Sequence, residues 1–244
     1  MDFLTFALQE QIRARVTKTL KDGIQLNMST EESRKFLRRH VNTRTNLVIM
    51  IIDINNSTQM SLTLPEFRFA LILQTFAQEV SIVVSGYGGF VFKYEGDAVI
   101  VIFPAEYDQI KACKNALSCS RAVLEIIKNA INPIFKENEL PEITVRTGLA
   151  YGATLVVLYG KSLEKSHVDI TGSSISLAAK IASIAKPNQI LVGELIYNII
   201  MSFKDKDPLD EIKFEEVRLD PIKWKYLSQS DPQSFYHVYE YLIN

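Results

Sequence analysis

The segment 47–53, Leu-Val-Ile-Met-Ile-Ile-Asp, is the feature that most constrains the fold of this 244-residue chain. Six consecutive apolar residues, rich in β-branched side chains, predict a strand that is buried on both faces, and Asp53 ends it. A second apolar run, 98–103, follows a turn that ends at Asp97. Mg²⁺ prefers oxygen ligands and is usually shared between carboxylates and substrate phosphates. The pattern therefore predicts a divalent-metal site, with a nucleoside triphosphate as the first substrate to consider.

The composition fits one catalytic-sized domain with a modest extension. A hydrophobic content of 47% over 244 residues is enough to bury a full core. The formal net charge of -1 and the pI near 6.3 show no excess of basic residues, so neither nucleic acid nor an anionic membrane is an expected ligand. No apolar run approaches the ~20 residues of a membrane span, and no secretory signal is evident. We therefore expect a cytoplasmic protein.

The two cysteines, Cys113 and Cys119, lie six residues apart in one predicted helix. This spacing points them to different faces of the helix and does not match a pair of metal ligands. We expect buried thiols that a reducing compartment keeps free.

Residues 1–44 predict a helical extension in front of a domain that occupies residues 45–244. Apolar residues recur at helical spacing from Phe3 to Leu20, with polar residues on the other face. Ser29 and Thr30, followed by two glutamates, predict the start of a second helix that runs through Leu37. The extension could pack on the domain, or it could pair with a second copy or another regulatory partner. The sequence leaves these alternatives open.

The rest of the chain alternates between helices and strands, with hairpins among them. After a short helix near residue 58, further helices are predicted over 64–84, 107–131 and 173–184. The predicted strands cover 90–93, 98–103, 143–151, 154–159 and 190–192, with two or three more within 211–242. Asn132-Pro133 is predicted to end the helix 107–131. This order predicts a ferredoxin-like α+β core with a mixed sheet flanked by helices.

Four short segments between residues 46 and 192 carry a more specific pattern. They are 53–58 (DINNST), 88–97 (GGFVFKYEGD), 145–152 (VRTGLAYG) and 169–181 (DITGSSISLAAKI). In this order and at this spacing they resemble the class III nucleotidyl cyclases, the catalytic domain of adenylate and guanylate cyclases. The resemblance implies the class III cyclase fold. It also implies the conversion of a nucleoside triphosphate to a 3′,5′-cyclic nucleotide and pyrophosphate, at sites shared across a homodimer.

The resemblance assigns Asp53 and Asp97 as ligands of two Mg²⁺ or Mn²⁺ ions, with the Ile54 carbonyl as a third ligand. A pair of such ions activates the attacking oxygen and neutralises the triphosphate. The loop in front of the next helix N-terminus is expected to bind phosphate through its free N–H groups. It comprises Asn55, Asn56, Ser57 and Thr58. The family often has glycine at the place of Asn56, and asparagine tolerates a positive φ better than most residues.

Lys93 and Asp169 fall where the family reads the nucleobase. The resemblance implies that the lysine donates to a ring nitrogen of adenine and that the aspartate accepts from the exocyclic amine. A guanine reader usually places glutamate and a smaller polar residue there, so this pair points to ATP. Arg146 is a candidate for binding the triphosphate, and a surface ion pair is the alternative for it.

The helix after Gly172 departs from the family pattern. The family typically has asparagine and, one turn later, arginine, where this chain has Ser176 and Lys180. Serine keeps a hydroxyl but is shorter, and lysine keeps the charge but loses the planar fork that bridges two oxygens. We expect both residues to act in catalysis and the enzyme to be a working but slow cyclase.

Three alternatives remain beside an adenylate cyclase. The departures at Ser176 and Lys180 would also fit a silent domain that binds a nucleotide or a regulatory partner. The same chemistry could act on GTP or on a pyrimidine triphosphate. A diguanylate cyclase would need a Gly-Gly-Asp/Glu-Glu-Phe type hairpin, and residues 94–97 read Tyr-Glu-Gly-Asp instead.

Overall fold

The computed structural model describes residues 6–26, 28–204, 212–228, 231 and 233–243. Within these residues, eight strands form one sheet. They are β1 (Arg44–Ile54), β2 (Phe90–Glu95), β3 (Ala98–Pro104), β4 (Val145–Tyr159), β5 (His167–Thr171), β6 (Ile190–Gly193), β7 (Lys213–Glu216) and β8 (Val238–Leu242). Their order is β2-β3-β1-β4-β6-β8-β7, and β5 pairs with the end of β4. The β4–β6 pair is parallel and the other pairs are antiparallel, so the predicted mixed sheet is confirmed.

Helices cover both faces of this sheet. They are α1 (Phe6–Asp22), α2 (Glu31–Arg38), α3 (Ser57–Thr63), α4 (Glu66–Gly86), α5 (Gln109–Ile126), α6 (Asn132–Glu137), α7 (Ser173–Ile184) and α8 (Glu194–Lys204). One apolar layer joins the sheet to α1, α4, α5, α6 and α8, and the other joins it to α2 and α7. Because β1 lies at the centre between β3 and β4, it is buried on both faces, as its apolar run predicts.

The structure corrects two predictions of element ends. Asn132-Pro133 does not end the long helix, because a π-helical turn at Ile127–Ile131 leads directly into α6. Pro133 lies in the first turn of α6, directly after the π-helical turn. The predicted strands 143–151 and 154–159 are one strand, β4, because β1 pairs with it across the expected break. Both cysteines are buried and free, as expected, and burial raises the pKa of the Cys113 thiol to about 12.

The N-terminal extension packs against the sheet's helical layer. Arg15 of α1 donates from Nε to both carboxylate oxygens of Glu79 in α4, at 2.8 and 3.1 Å. The Glu79 side chain is only 1% exposed. Next to it, Gln78 donates to the hydroxyl of Thr19 at 2.9 Å and accepts from the backbone N–H of Gln25 at 2.9 Å. The boundary between extension and domain at residue 44 stays a prediction.

Among the described residues, α4 is the one helix whose length and composition would allow it to cross a membrane. The expectation that no apolar run approaches that length overlooked it, because glutamines and a glutamate interrupt its apolar residues. Gln78 and Glu79 do not face solvent, since both are buried against α1, whereas Gln74 is exposed. The apolar side of α4, including Phe76 and Val80, packs in the core. Its packing therefore accounts for its apolar composition.

Candidate active site

The sheet brings Asp53 and Asp97 together. Asp53 lies near the end of β1, in register with Ala98 of β3 on one side and Arg146 of β4 on the other. Asp97 lies in the turn between β2 and β3, and its carbonyl accepts from the Ile54 N–H at 3.3 Å. The turn needs Gly96, whose φ is +62°. The two carboxylates are close enough for the charge of Asp97 to act on Asp53.

Arg146 lies directly against Asp53. Its Nε donates to Asp53 Oδ2 at 2.6 Å, and a second guanidinium nitrogen lies 2.5 Å from the same oxygen. The Asp53 side chain is 15% exposed, so this is a partly buried ion pair rather than a surface one. The guanidinium therefore stands beside the predicted metal ligands.

The electrostatics of Asp53 fit a site for a cation. Burial raises the pKa of this carboxyl and Asp97 raises it further, and together they outweigh the lowering by Arg146. Two crowded carboxylates with one guanidinium leave the group short of positive charge. Among the described residues, no cluster of three or more His, Cys, Asp or Glu side chains is gathered for a metal. Ions held by Asp53, Asp97 and the Ile54 carbonyl would therefore also need oxygens of the substrate.

The predicted phosphate loop has the backbone that its sequence allows. Asn56 adopts the left-handed conformation, with φ 58° and ψ 24°, and α3 begins after it. Asparagine is one of the few residues that tolerate this geometry, so the loop needs no glycine. Asn55 is held by Thr144, whose carbonyl accepts the Asn55 N–H at 2.9 Å and whose hydroxyl accepts from its side chain at 3.3 Å. No residue of α3, which starts with Ser57 and Thr58, is buried.

The predicted base-reading residues contact each other. Lys93 Nζ donates to Asp169 Oδ2 at 2.6 Å, and Asp169 Oδ1 accepts from the Ile170 N–H at 2.8 Å. A bulge at Phe92 in β2 shifts the register just before Lys93. Burial alone would raise the pKa of Asp169, but the Lys93 ammonium and the Ile170 N–H outweigh it and hold the pKa below its usual value. Asp169 is therefore an ionised acceptor.

One residue of this group has no place in the sequence prediction. His167 Nε2 lies 3.4 Å from Asp169 Oδ2, and the imidazole stacks on Tyr159 with ring centroids 6.1 Å apart. The sequence could have identified His167, because it lies two residues before Asp169 and alternate residues of a strand lie on the same side, here of β5.

Ser176 and Lys180 lie on the exposed side of α7. The Ser176 hydroxyl donates to the Gly172 carbonyl at 3.4 Å, and Lys180 has no ion pair among the described residues. Gly148 of β4 sets how closely α7 approaches the sheet, because an added Cβ would lie 2.2 Å from the Ala182 nitrogen. Among the described residues, no hydrogen bond or ion pair joins Ser176 or Lys180 to Asp53, Asp97, Lys93 or Asp169, and the roles of Ser176 and Lys180 stay predictions.

The chain thus carries two separate polar groups on one sheet. We name them after the predicted roles of Asp53 and Lys93. The metal-side group consists of Asp53, Asp97 and Arg146, and the base-side group consists of Lys93, Asp169 and His167. No hydrogen bond or ion pair joins the two groups within the described part of the chain.

Solved structures with a similar fold are cyclase domains. The adenylyl cyclase CyaB from P. aeruginosa superposes with a TM-score of 0.68 at 20% identity, over 83% of this chain and 96% of that one. The guanylyl cyclase Cya2 gives a TM-score of 0.66 at 16% identity, over 82% and 93%. At these identities the likeness shows the fold, and the predicted class III cyclase fold is confirmed.

Sequence relatives carry a different base in their names. A cytidylate cyclase from Escherichia coli is 27% identical over 158 residues, which are 63% of this chain and 35% of the relative. One from Staphylococcus aureus is 25% identical over 150 residues, which are 60% and 36%. The chain spans about a third of the length of these relatives. The family model for the adenylate and guanylate cyclase catalytic domain matches residues 40–229. The chain therefore belongs to the class III nucleotidyl cyclase family.

Proposed function

We propose that this chain is an adenylate cyclase that converts ATP to 3′,5′-cyclic AMP and pyrophosphate. The observation that carries the proposal is the 2.6 Å contact between Lys93 and Asp169, which holds a donor next to an ionised acceptor. Adenine presents the complementary edge, since its N1 accepts and its N6 amine donates. Guanine presents a donor at N1 and an acceptor at O6, so it would meet a like group at both positions.

In the proposed reaction, the ribose 3′-oxygen attacks the α-phosphorus of its own nucleotide. The 3′-oxygen–phosphorus bond forms, the bond to the bridging oxygen of pyrophosphate breaks, and the hydroxyl proton is released. Because the nucleophile is tethered, the protein acts mainly through orientation and electrostatics. Bound divalent ions would supply positive charge for the triphosphate and for the attacking oxygen. Asp53, Asp97 and the Ile54 carbonyl would hold those ions, and Arg146, which stands beside Asp53, would bind the triphosphate.

The substitutions in α7 support a lower rate rather than silence. Lys180 keeps a positive charge that can approach the developing charge of the leaving group, although it lacks the bidentate geometry of arginine. The crowded carboxylates at Asp53 and Asp97 also argue against a silent domain. They cost folding free energy in the absence of a cation, and a domain without metal chemistry has no need of them.

Cytidylate cyclase is the second candidate, and the same pair of residues favours it. Cytosine, like adenine, presents an amine beside a ring nitrogen that accepts, so Lys93 and Asp169 can read either base. The cytidylate cyclases of E. coli and S. aureus are among the relatives of this chain. The Lys93–Asp169 contact alone therefore selects for an amine-bearing base and does not distinguish a purine from a pyrimidine.

A nucleotide panel tests both candidates. Purified protein is incubated with ATP, CTP, GTP and UTP in turn, with Mg²⁺ or Mn²⁺, and cyclic products are separated by chromatography. We expect cyclic AMP as the main product and GTP and UTP as the poorest substrates. Preferred turnover of CTP would establish the second candidate, and the absence of every cyclic product would support the silent domain.

We propose that each site is shared by two copies of the chain. The separation of the metal-side and base-side groups within one chain supports this arrangement. Mixing an Asp53→Ala chain with a Lys93→Ala chain tests it, because each heterodimer would contain one intact site. Random pairing puts half the dimers in that form with one of two sites active, so we expect about a quarter of the wild-type activity. Absence of rescue, with heterodimers shown by tag pull-down, would contradict the shared site.

A further inference from the structure

His167 extends the base-side group beyond the two residues that read an amine-bearing edge. Its Nε2 lies 3.4 Å from Asp169 Oδ2, the same oxygen that accepts from Lys93 at 2.6 Å. The His167 side chain is 61% exposed, so a bound base can reach it. The Oδ2 atom of Asp169 is therefore contacted by two side-chain nitrogens, with Lys93 close and His167 farther away.

The loose contact leaves the histidine able to donate elsewhere. A neighbouring carboxylate favours the tautomer in which Nε2 carries the proton, so Nε2 is the donor. Its distance to Asp169 exceeds the roughly 2.7–2.9 Å of a charge-assisted N–H···O bond. The ring is positioned by stacking on Tyr159, its register partner on β4. A donor that is oriented but only weakly bonded can be shared with a ligand.

We propose that His167 determines base specificity by donating a hydrogen bond to N7 of adenine. This inference rests on the proposed function. Along one edge, adenine presents N1 as an acceptor, the N6 amine as a donor and N7 as an acceptor. Lys93, Asp169 and His167 present a donor, an acceptor and a donor. Cytosine offers only the first two of these partners, since it has a C–H group in place of N7. The third residue thus favours adenine over cytosine.

The test compares ATP with 7-deaza-ATP, in which a C–H group replaces N7. One hydrogen bond at a partly exposed site is worth about five- to tenfold in kcat/KM, so wild-type protein should prefer ATP by that factor. In His167→Phe, which keeps a ring for stacking on Tyr159 but has no donor, the preference should fall to about one. In the same variant, the ratio of kcat/KM for ATP to kcat/KM for CTP should fall by the same factor, while kcat/KM for CTP stays unchanged. His167→Gln keeps a donor and should retain part of the preference.

His237→Phe is the matched control, because His237 is also an exposed histidine paired with a carboxylate, Glu216 at 2.6 Å. It should keep the wild-type ratio. An equal preference for ATP over 7-deaza-ATP in wild type and His167→Phe would overturn the proposal. Calorimetric binding of the two nucleotides separates this outcome from failure of the proposed function. If the protein forms no cyclic product but binds ATP more tightly than 7-deaza-ATP, and His167→Phe removes that difference, the proposed cyclase activity is wrong and the role of His167 stands. If wild-type protein binds the two nucleotides equally, the role of His167 is wrong.

Discussion

The carboxylate–cation contacts of the metal-side and base-side groups differ in their electrostatics, although each contains a hydrogen bond of the same length. Asp53 meets Arg146 and Asp169 meets Lys93, each at 2.6 Å and each partly buried. The pKa of Asp53 is nevertheless raised, because burial and Asp97 outweigh its arginine. The pKa of Asp169 is lowered, because its lysine and a backbone N–H outweigh burial. The first group is short of positive charge, and the second is satisfied.

This difference indicates that the two groups are suited to different tasks. A group short of positive charge is suited to binding a cation, and its demand does not depend on which base the nucleotide carries. An acceptor whose charge is already balanced, next to a donor, is suited to recognising the uncharged edge of a base by hydrogen bonds. We therefore expect changes in the metal-side group to affect all nucleotides equally and changes in the base-side group to affect them selectively.

The largest expected effect follows loss of a metal-side carboxylate. Asp53→Ala or Asp97→Ala should lower kcat by about 10³-fold or more, the scale seen when a residue that acts as part of a catalytic unit is removed. The fold should remain, as checked by circular dichroism. Glu95→Ala removes an exposed charge from the β2–β3 hairpin that carries Asp97, and this variant should retain most activity. An active Asp53→Ala enzyme would remove the metal assignment.

The difference between the two groups is tested most directly by removing the basic side chain of each group in turn. Lys93→Ala should lower kcat/KM for ATP and CTP by roughly 10- to 100-fold, because the base loses its donor and the partly buried Asp169 loses its charged partner. The same change should affect GTP much less. Arg146→Ala should lower kcat/KM for all four nucleotides by one common factor. Steady-state kinetics on the nucleotide panel measure both. A base-selective effect of Arg146→Ala would contradict the division between the groups.

A smaller effect is expected from the α7 substitutions. Lys180→Arg should raise kcat by about three- to tenfold, because the guanidinium can bridge two oxygens of the leaving group. Ser176→Asn should add to this gain if both side chains reach the same substrate. Lys186→Arg, at an exposed lysine just after α7, is the control and should change nothing. No gain in either variant would place the limit on the rate elsewhere.

The smallest effects are on stability without metal or nucleotide. Asp97→Asn should raise the free energy of unfolding at pH 7 by about 0.5–1 kcal/mol, since it relieves the crowding of Asp53. Asp169→Asn should lower it by about 1 kcal/mol, after allowance for solvent screening of this partly exposed group. Urea titrations in EDTA measure both.

The pH dependence of these two stability effects follows from the pKa directions. A raised pKa means that the ionised Asp53 is the costly form, so the gain in Asp97→Asn should appear as pH rises above about 4. A lowered pKa means that the ionised Asp169 is the stabilising form, so the loss in Asp169→Asn should vanish as pH falls below about 4. Two effects of the same sign would contradict the electrostatic comparison.

The sequence predicts the core of this site well because its signals are local. A buried strand followed by Asp53, and a glycine turn followed by Asp97, each lie within a few residues. Register then brings them together, since Asp53 pairs with Ala98 next to Asp97. Even the left-handed Asn56 follows from the residue type.

Tertiary context decides what the sequence does not predict. The chain looks broken near Gly152, yet pairing with β1 holds β4 as one strand. Pro133 reads as a helix end, but it occupies the first turn of a new helix. The Arg146–Asp53 contact joins residues 93 positions apart, and only the register of β1 and β4 reveals it.

The buried pair between Arg15 and Glu79 fastens the first helix to α4. Detaching α1 would break this ion pair, the hydrogen bond between Gln78 and Thr19, and the apolar packing of α1 on the core at the same time. Amide protons of α1 should then exchange with solvent nearly as slowly as those of α4. α4 in turn packs on the β2–β3 hairpin that carries Asp97, so the Arg15–Glu79 pair connects α1 to that hairpin through α4. Slow exchange throughout α1 would show that it opens together with the core rather than separately from it.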